Sequence, residues 1–448
     1  MVAYIKEPAS DVRVVLDVDV CVLGGSCTGV FAAVRAARLG AKVAIVEKQN
    51  CFGGMATAGL VNIWHSIFDT DYKKQIIGGL TVEVMDKLRA RGAVDIADSS
   101  ASAYYRFNSE ELKVELDKLI IEHNIIPFLN TFSCNVIMKD DNSIEAVMIE
   151  NKSGRQAIKA KVFIDATGDG DVANNAGFPM KDSKHPLPPT TCAKIQGINQ
   201  IAGLNIGTFI NEHGSEVGLR KDTGWHGTVP GTDDIRMYAM THVFDMRATD
   251  GISLSKAEIE GRIQVRSYMD LIRKYYPYYP ISLVDLASSI GIRDSRRCIA
   301  NYSLTDDDVL WGKRFDDAIA NGSYRVDVHN EETGGFEFKY LDGTTCLVSS
   351  EGNKNGRWRE PIEKDPTFYQ IPYGTMVRDD FKNLIVTGRA ICVDDLAFGA
   401  VRVMVNLNQV GEAAGVAAVL ACNECVDVAE VNTDLLRKTL AEGGSIII

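Results

Sequence analysis

The sequence predicts an α/β protein: a doubly wound parallel sheet with an antiparallel β-meander, into which a second, α+β domain is inserted. Three observations lead there. Short apolar runs, VDVCVL (18–23), AKVAIVE (41–47), AKVFID (160–165) and NLIV (383–386), read as strands buried on both faces, the pattern of a parallel sheet. The first two flank a glycine-punctuated turn and an alanine-rich helical pattern, CTGVFAAVRAARLG (27–40). Strands of this kind also stand near both ends of the chain. The middle, richer in aromatics and histidines, therefore leaves the first domain and returns to it.

Bulk properties set the limits. At about 100–200 residues per domain, 448 residues give two to four domains. A formal charge of −12 argues against nucleic acid or an anionic membrane as the main partner, since both demand a basic surface. No apolar run approaches the roughly 20 residues of a membrane span. The opening MVAYIKEPASDV carries no apolar signal core, so the expected location is the cytoplasm. Ten scattered cysteines suit buried, reduced thiols. The lone C-x-x-C, Cys422–Cys425, has no second pair to complete a zinc site, and no metal is expected.

In chain order, 18–23 is a buried strand, 27–40 a helix closed by Gly40, and 41–47 the next strand, ending at Glu47. Helical patterns follow at about 78–92 and 108–123. From 125 to 163, short alternating runs separated by KDDNS and NKSG predict the meander. AKVFIDATGDGD (160–171) is a buried strand ending in a glycine-rich turn, and KHPLPPT (184–190) marks a boundary. Residues 383–390 give another strand and turn; 401–421 reads as one long helix with a small-residue face. The expected domains are 1–180 with 376–448, and an inserted unit at 181–375. A cleft between such units is a natural ligand site.

The turn in VLGGSCTGV (22–30) carries the first functional signal. It approximates G-x-G-x-x-G, with Gly24 making the tight turn and Gly29 allowing close helix–strand packing. Ser26 stands where the second glycine belongs, and its hydroxyl could donate to a phosphate. The helix starting near Cys27 and Thr28 would aim free N–H groups at an anion. Glu47 lies 23 residues beyond Gly24, close to the roughly 20 expected of the acid that binds ribose hydroxyls. The unit is thus expected to bind a dinucleotide, the alternative being a glycine turn that binds nothing. Three further segments favour FAD over NAD: CFGGMATAGLV (51–61), whose Gly53–Gly54 pair leading into Met55 and Ala56 admits a long ligand; DATGDGD (165–171), including Thr167; and TGRA (387–390) with the helix from about Val401.

Nearly end to end, the chain resembles the FAD-dependent oxidoreductases of the glutathione-reductase-type flavoprotein superfamily, more narrowly the bacterial family given that name. GGMATAGLV, FIDATGDGDVANNAG (163–177), GIRDSRRCIANYSLTDDDV (291–309), YQIPYGTMV (369–377) and NLIVTGRAICVDDLAFGAVRVM (383–404) carry the likeness. The resemblance implies a Rossmann-like FAD-binding domain, with FAD contacts at Gly24, Gly25, Ser26, Gly29, Glu47, Lys48, Gly54, Thr57, Ala166, Gly168, Gly388, Arg389 and the turn Ala400, Val401, Arg402, Val403. The chain departs from it at Ser26, and at Asp395, where many relatives have a histidine.

A flavin exchanges a hydride, and the protein supplies position and proton transfer. Candidate acid–base groups are Asp395, His65, His242 and Tyr373; for each histidine the commoner alternative is a packed or surface residue. If GIRDSRR is helical, Arg293, Arg296 and Arg297 share a face and could clamp an anionic substrate; ion pairing with nearby aspartates is the structural alternative. No cysteine pair follows Gly53–Gly54, against a disulfide reductase. The leading expectation is hydride transfer between FAD and a small polar metabolite, a sugar derivative or hydroxy acid. The competing readings are a flavoprotein subunit of an electron-transfer assembly and a lyase-like enzyme in which FAD is structural. A homo-oligomer is compatible with either.

Overall fold

The computed structural model describes residues 4–96, 104–184, 186–221, 224–330, 335–349 and 352–448. Its main sheet is built from β1 (Arg13–Leu23), β2 (Val43–Val46), β3 (Ile126–Phe128), β4 (Phe132–Asp140), β5 (Ser143–Asn151), β6 (Gly154–Asp165) and β7 (Leu384–Val386). The order is β3-β2-β1-β6-β5-β4, with β7 also pairing β6. The β1–β2, β2–β3, β1–β6 and β6–β7 pairs are parallel, while β4–β5–β6 is the antiparallel meander. The meander's last strand and the expected buried strand at 160–165 are one element. β6 pairs antiparallel with β5 through its first half and parallel with β7 at its end.

Alternation sorts the strand side chains. Val43 and Ile45 enter the core on one face of β2, and Ala44 and Val46 the core on the other. The first face is covered by α1 (Cys27–Arg38), α2 (Gly79–Arg89), α3 (Ser109–Glu122), and two elements from the far end of the chain, α6 (Met404–Glu424) and α7 (Thr433–Glu442). The meander packs over the second face through Val136, Ile144, Val147 and Ile149. Gly411 and Gly415 let α6 lie directly on α1: a methyl at either would run into the carbonyl of Thr28 or of Ala32.

The single helix expected over 401–421 is two. α5 (Asp395–Val401) ends, Arg402 and Val403 turn, and α6 begins at Met404, bent 91° from α5. No single helix among the described residues is long and apolar enough to cross a membrane.

Between the main-domain segments, strands Trp225–Thr228, Ile235–Ala239, Ala193–Gln196 and Ser282–Leu286 form an antiparallel sheet in that order. Its own core, with Ile195, Tyr238, Val265, Tyr268 and Ile272, is closed by the long helix α4 (Gly251–Tyr275). Residues from Leu304 to Tyr373, by contrast, contribute to the main core: Leu304, Ile319, Tyr369, Ile371 and Tyr373 pack there. Within that stretch, strands Val326–Asn330, Gly335–Lys339, Thr344–Ser349 and Gly352–Arg357 make a four-stranded meander.

GIRDSRR is not helical. Arg296–Cys298 is a short strand paired with Met180–Asp182, so the shared arginine face does not form.

Candidate functional site: a cavity from the sheet edge to a polar cluster

Leu23, Val46, Asp165 and Val386 end their strands in register, so the loops at 24–26, 47–54, 166–170 and 387–390 meet at the carboxyl edge of the sheet. Ligands of open α/β sheets bind at that edge. Here it opens into a cavity of about 1080 Å³.

The turn after β1 explains the missing glycine. Gly24 has φ +102°, and a methyl there would enter the carbonyl of Ala166, so glycine is required. Ser26 has φ −60° and ψ 171°, extended backbone open to any residue. It is the N-cap of α1, its Oγ accepting from the Gly29 N–H at 3.4 Å. Compactness is supplied instead by the neighbouring loop, where Gly53 bridges to Ser26 and a methyl on Gly54 would sit 3.0 Å from Ser26 Cβ. The Gly25 N–H donates to Glu47 Oε2 at 2.6 Å, and the Gln49 N–H to Oε1 at 2.7 Å. Glu47 therefore fixes both loops as well as facing the cavity.

Of the residues expected at a cofactor, Gly24, Ser26, Cys27, Thr28, Glu47, Lys48, Gly53, Gly54, Met55, Ala166, Thr167, Gly168, Gly388, Arg389, Arg402 and Val403 line this cavity. Gly25, Gly29, Ala56, Thr57, Ala400 and Val401 lie behind it. Gly25 and Gly29 are packing positions with no room for a methyl, and Thr57 donates to the Phe52 carbonyl at 2.6 Å. Ala56, Ala400 and Val401 are buried in the core. Arg389 pairs with Asp169 at 2.7 Å, leaving its Nη1 buried and without a described partner. Burial pushes the Cys27 thiol up to about 12, so it stays protonated.

The proposed acid–base residues divide. His65 lines the cavity, its ring 4.2 Å from that of Tyr324, but it is no near-neutral base. Burial first, then the Arg325 cation, pushes it down to about 3. Tyr373 is corrected to a core residue: it is buried and donates to the Val428 carbonyl at 2.7 Å. Asp395 is exposed and outside the cavity, ion-paired with Arg297. Arg297 is buried over the Phe398 ring at 4.7 Å, which makes this pair a brace between the Arg296–Cys298 strand and α5. His242 is buried beside the cavity wall, its backbone clasped by Gln264 through bonds of 3.0 and 2.9 Å. Of the three GIRDSRR arginines only Arg293 reaches the cavity; Arg296 binds Asp171 at 2.8 Å.

Sequence reasoning missed the far end of the cavity. There Tyr324 Oη donates to Asp327 Oδ2 at 2.8 Å, Arg402 approaches the same oxygen at 3.4 Å, and Arg325 lies over the Phe338 ring at 3.9 Å. Burial works to raise the Asp327 carboxyl, but Arg402, the Tyr324 hydroxyl and Arg325 together hold it below the usual range. Gly399 makes this possible, since a methyl there would strike the Asp327 backbone at 2.6 Å and push α5 away. The only sequence signal was S-Y-R-V-D at 323–327, three chemically active side chains at the mouth of an alternating strand.

A glycine-lined cradle at the carboxyl edge of a parallel sheet, opening on a polar chamber, is the architecture of a nucleotide-binding α/β protein. A family model described as FAD dependent oxidoreductase matches residues 19–440, and the chain belongs to that family. It is an FAD-dependent enzyme. Over 218 residues it is 27% identical to the mitochondrial dihydrolipoyl dehydrogenase of Schizosaccharomyces pombe, an alignment covering 44% of this chain and 39% of that one. It is similar to a solved geranylgeranyl bacteriochlorophyll reductase-like protein of Thermoplasma acidophilum (12% identity, TM-score 0.48, 95% and 84% of the two chains). It is also similar to the myxobacterial chondrochloren halogenase CndH (13% identity, TM-score 0.42, 95% and 80%).

Proposed function

We propose that this enzyme transfers a hydride between its FAD and a small polar metabolite, a hydroxy acid or a sugar derivative, held in the far half of the cavity. The observation that carries this reading is continuity. One cavity runs from Gly24, Ser26 and Glu47, past Gly53–Met55, Ala166–Gly168 and Gly388–Arg389, to Arg402 and the cluster His65–Tyr324–Arg325–Asp327. We assign its first half to FAD. The cradle fits a dinucleotide: a backbone position with no room for a side chain (Gly24), a tight one at positive φ (Gly54), the start of α1, and the buried Nη1 of Arg389, which has no hydrogen-bond partner among the described residues. When bound, the flavin supplies two-electron hydride chemistry.

The chain's own residues do the rest. Asp327 stays ionised, its Oδ2 satisfied by Tyr324 and Arg402, while its Oδ1 is buried and without a described partner. That oxygen is the group we assign to take a substrate hydroxyl proton. His65, kept neutral, packs under Tyr324 and orients it. Trp225 and Ala239 of the antiparallel sheet, with Cys192 just before its strand Ala193–Gln196, form one wall of the chamber. The partner in this reading is a small molecule rather than nucleic acid or membrane. A reducing, cytoplasmic setting is supported by ten unpaired cysteines, five of them buried.

The test is anaerobic: purified holoprotein challenged with hydroxy acids and sugars while its visible absorption is followed. Bleaching by one compound, slowed by about 10²-fold or more in Asp327→Asn with FAD content unchanged, is the expected result. A flavin no compound reduces would turn the reading toward an electron relay or structural FAD.

A further inference from the structure

Within that reading, we propose that the far end of the cavity is a carboxylate-binding subsite centred on Arg325 and Arg402, so that the substrate is a small hydroxy acid rather than a neutral sugar.

The argument is one of charge and shape. Arg325 and Arg402 face one described carboxylate between them, Asp327. Asp327 is already engaged by Tyr324 on its Oδ2, and its contact with Arg402, 3.4 Å, is long for a charge-assisted bond. The Nε atoms of both arginines are buried and lack a hydrogen-bond partner among the described residues. Arg293 lines the same cavity and adds to the positive field. Both side chains are half-buried, and donors taken out of water without a partner are costly unless an acceptor meets them.

Arg325 is also pre-organised. Its guanidinium lies 3.9 Å from the Phe338 ring centre and 5.6 Å from that of Tyr340, which orients the plane and its donor fork. A planar fork of this kind matches a carboxylate in two parallel hydrogen bonds. Asp327 selects further. Its free Oδ1 accepts a hydroxyl donor on the same ligand, while its charge repels the second charge of a phosphate monoester. The subsite therefore calls for an acid head with a hydroxyl beside it. A neutral polyol would satisfy Asp327 and leave both arginines unmet.

The experiment uses holoenzyme and reads binding, not turnover: flavin absorbance perturbation and the thermal midpoint, titrated with lactate, glycerate, lactamide, glycerol and glycerol phosphate. The expected result is saturable binding of lactate and glycerate, at least tenfold weaker binding of lactamide and glycerol, and glycerol phosphate weaker than glycerate. Arg325→Met should weaken the acids at least tenfold with FAD retained, and Arg325→Lys should fall between. Should Arg325→Met lose FAD, the Lys variant and the wild-type acid–amide comparison decide. The proposal is overturned if lactamide matches lactate, if glycerol phosphate binds tighter than glycerate, if the variants bind the acids like wild type, or if no acid binds. Failure of the hydride reading looks different: the acids bind, but no compound ever reduces the flavin.

Discussion

Ser26 separates two jobs that a dinucleotide turn is often taken to combine. Gly24 must be glycine because its φ is +102° and its neighbour is the Ala166 carbonyl. At 26 the backbone is ordinary, and the serine does capping work. Ser26→Gly should therefore keep FAD and cost roughly a few tenths of a kcal/mol, and Ser26→Ala about 1 kcal/mol. Gly24→Ala should purify without flavin and lose on the order of 1–3 kcal/mol or more. Flavin absorbance and denaturant melts check all three.

His65 makes a pH prediction. Its folded pKa, about 3, lies below its ordinary 6.5, so the imidazole is neutral when folded and takes up a proton on unfolding at lower pH. Its contribution is complete above pH 6.5 and is lost as pH falls toward 3. His65→Phe should flatten the stability–pH curve in that window relative to wild type. Thermal midpoints measured from pH 7 to 4 test this; an unchanged slope would contradict the burial argument.

Among the elements, the contact between α1 and α6 joins the two ends of the chain at the cofactor turn. Gly411 and Gly415 face the carbonyls of Thr28 and Ala32, in the helix whose start forms the cavity's floor. Gly411→Ala should cost about 1–3 kcal/mol by overpacking. Because Thr28 must shift, it should also weaken FAD more than Gly415→Ala, whose clash lies one turn deeper. Binding isotherms for FAD on the two apo-variants distinguish this from general destabilisation, which would weaken both alike.

The same elements show what the sequence could and could not disclose. Strands buried on both faces and the glycine turn were legible because each follows from local rules: apolar runs, positive φ, acid spacing. The break between α5 and α6 was not, because Val-Arg-Val continues the apolar pattern and nothing local marks a turn. The turn between the two helices places Arg402 3.4 Å from Asp327. The GIRDSRR segment misled for a related reason. Helical spacing put three arginines on one face, whereas strand pairing with Met180–Asp182 sends Arg296 to Asp171 and Arg297 to Asp395. The acid–base candidates were Asp395, His65, His242 and Tyr373, of which only His65 lines the cavity; the cavity instead gathers Tyr324, Asp327 and two arginines from segments about 75 residues apart, a convergence only tertiary packing creates.

Taken whole, the molecule is a continuous chamber between a dinucleotide cradle and a polar cluster, walled by a separately cored sheet. The proposed activity requires that chamber to hold flavin and metabolite together. Its most direct test is the anaerobic visible spectrum of the holoprotein during titration with hydroxy acids and sugars. The flavin bands should bleach stoichiometrically with one class of compound, and the bleaching should slow sharply in Asp327→Asn. A bound flavin that keeps its oxidised spectrum against the whole panel would contradict it.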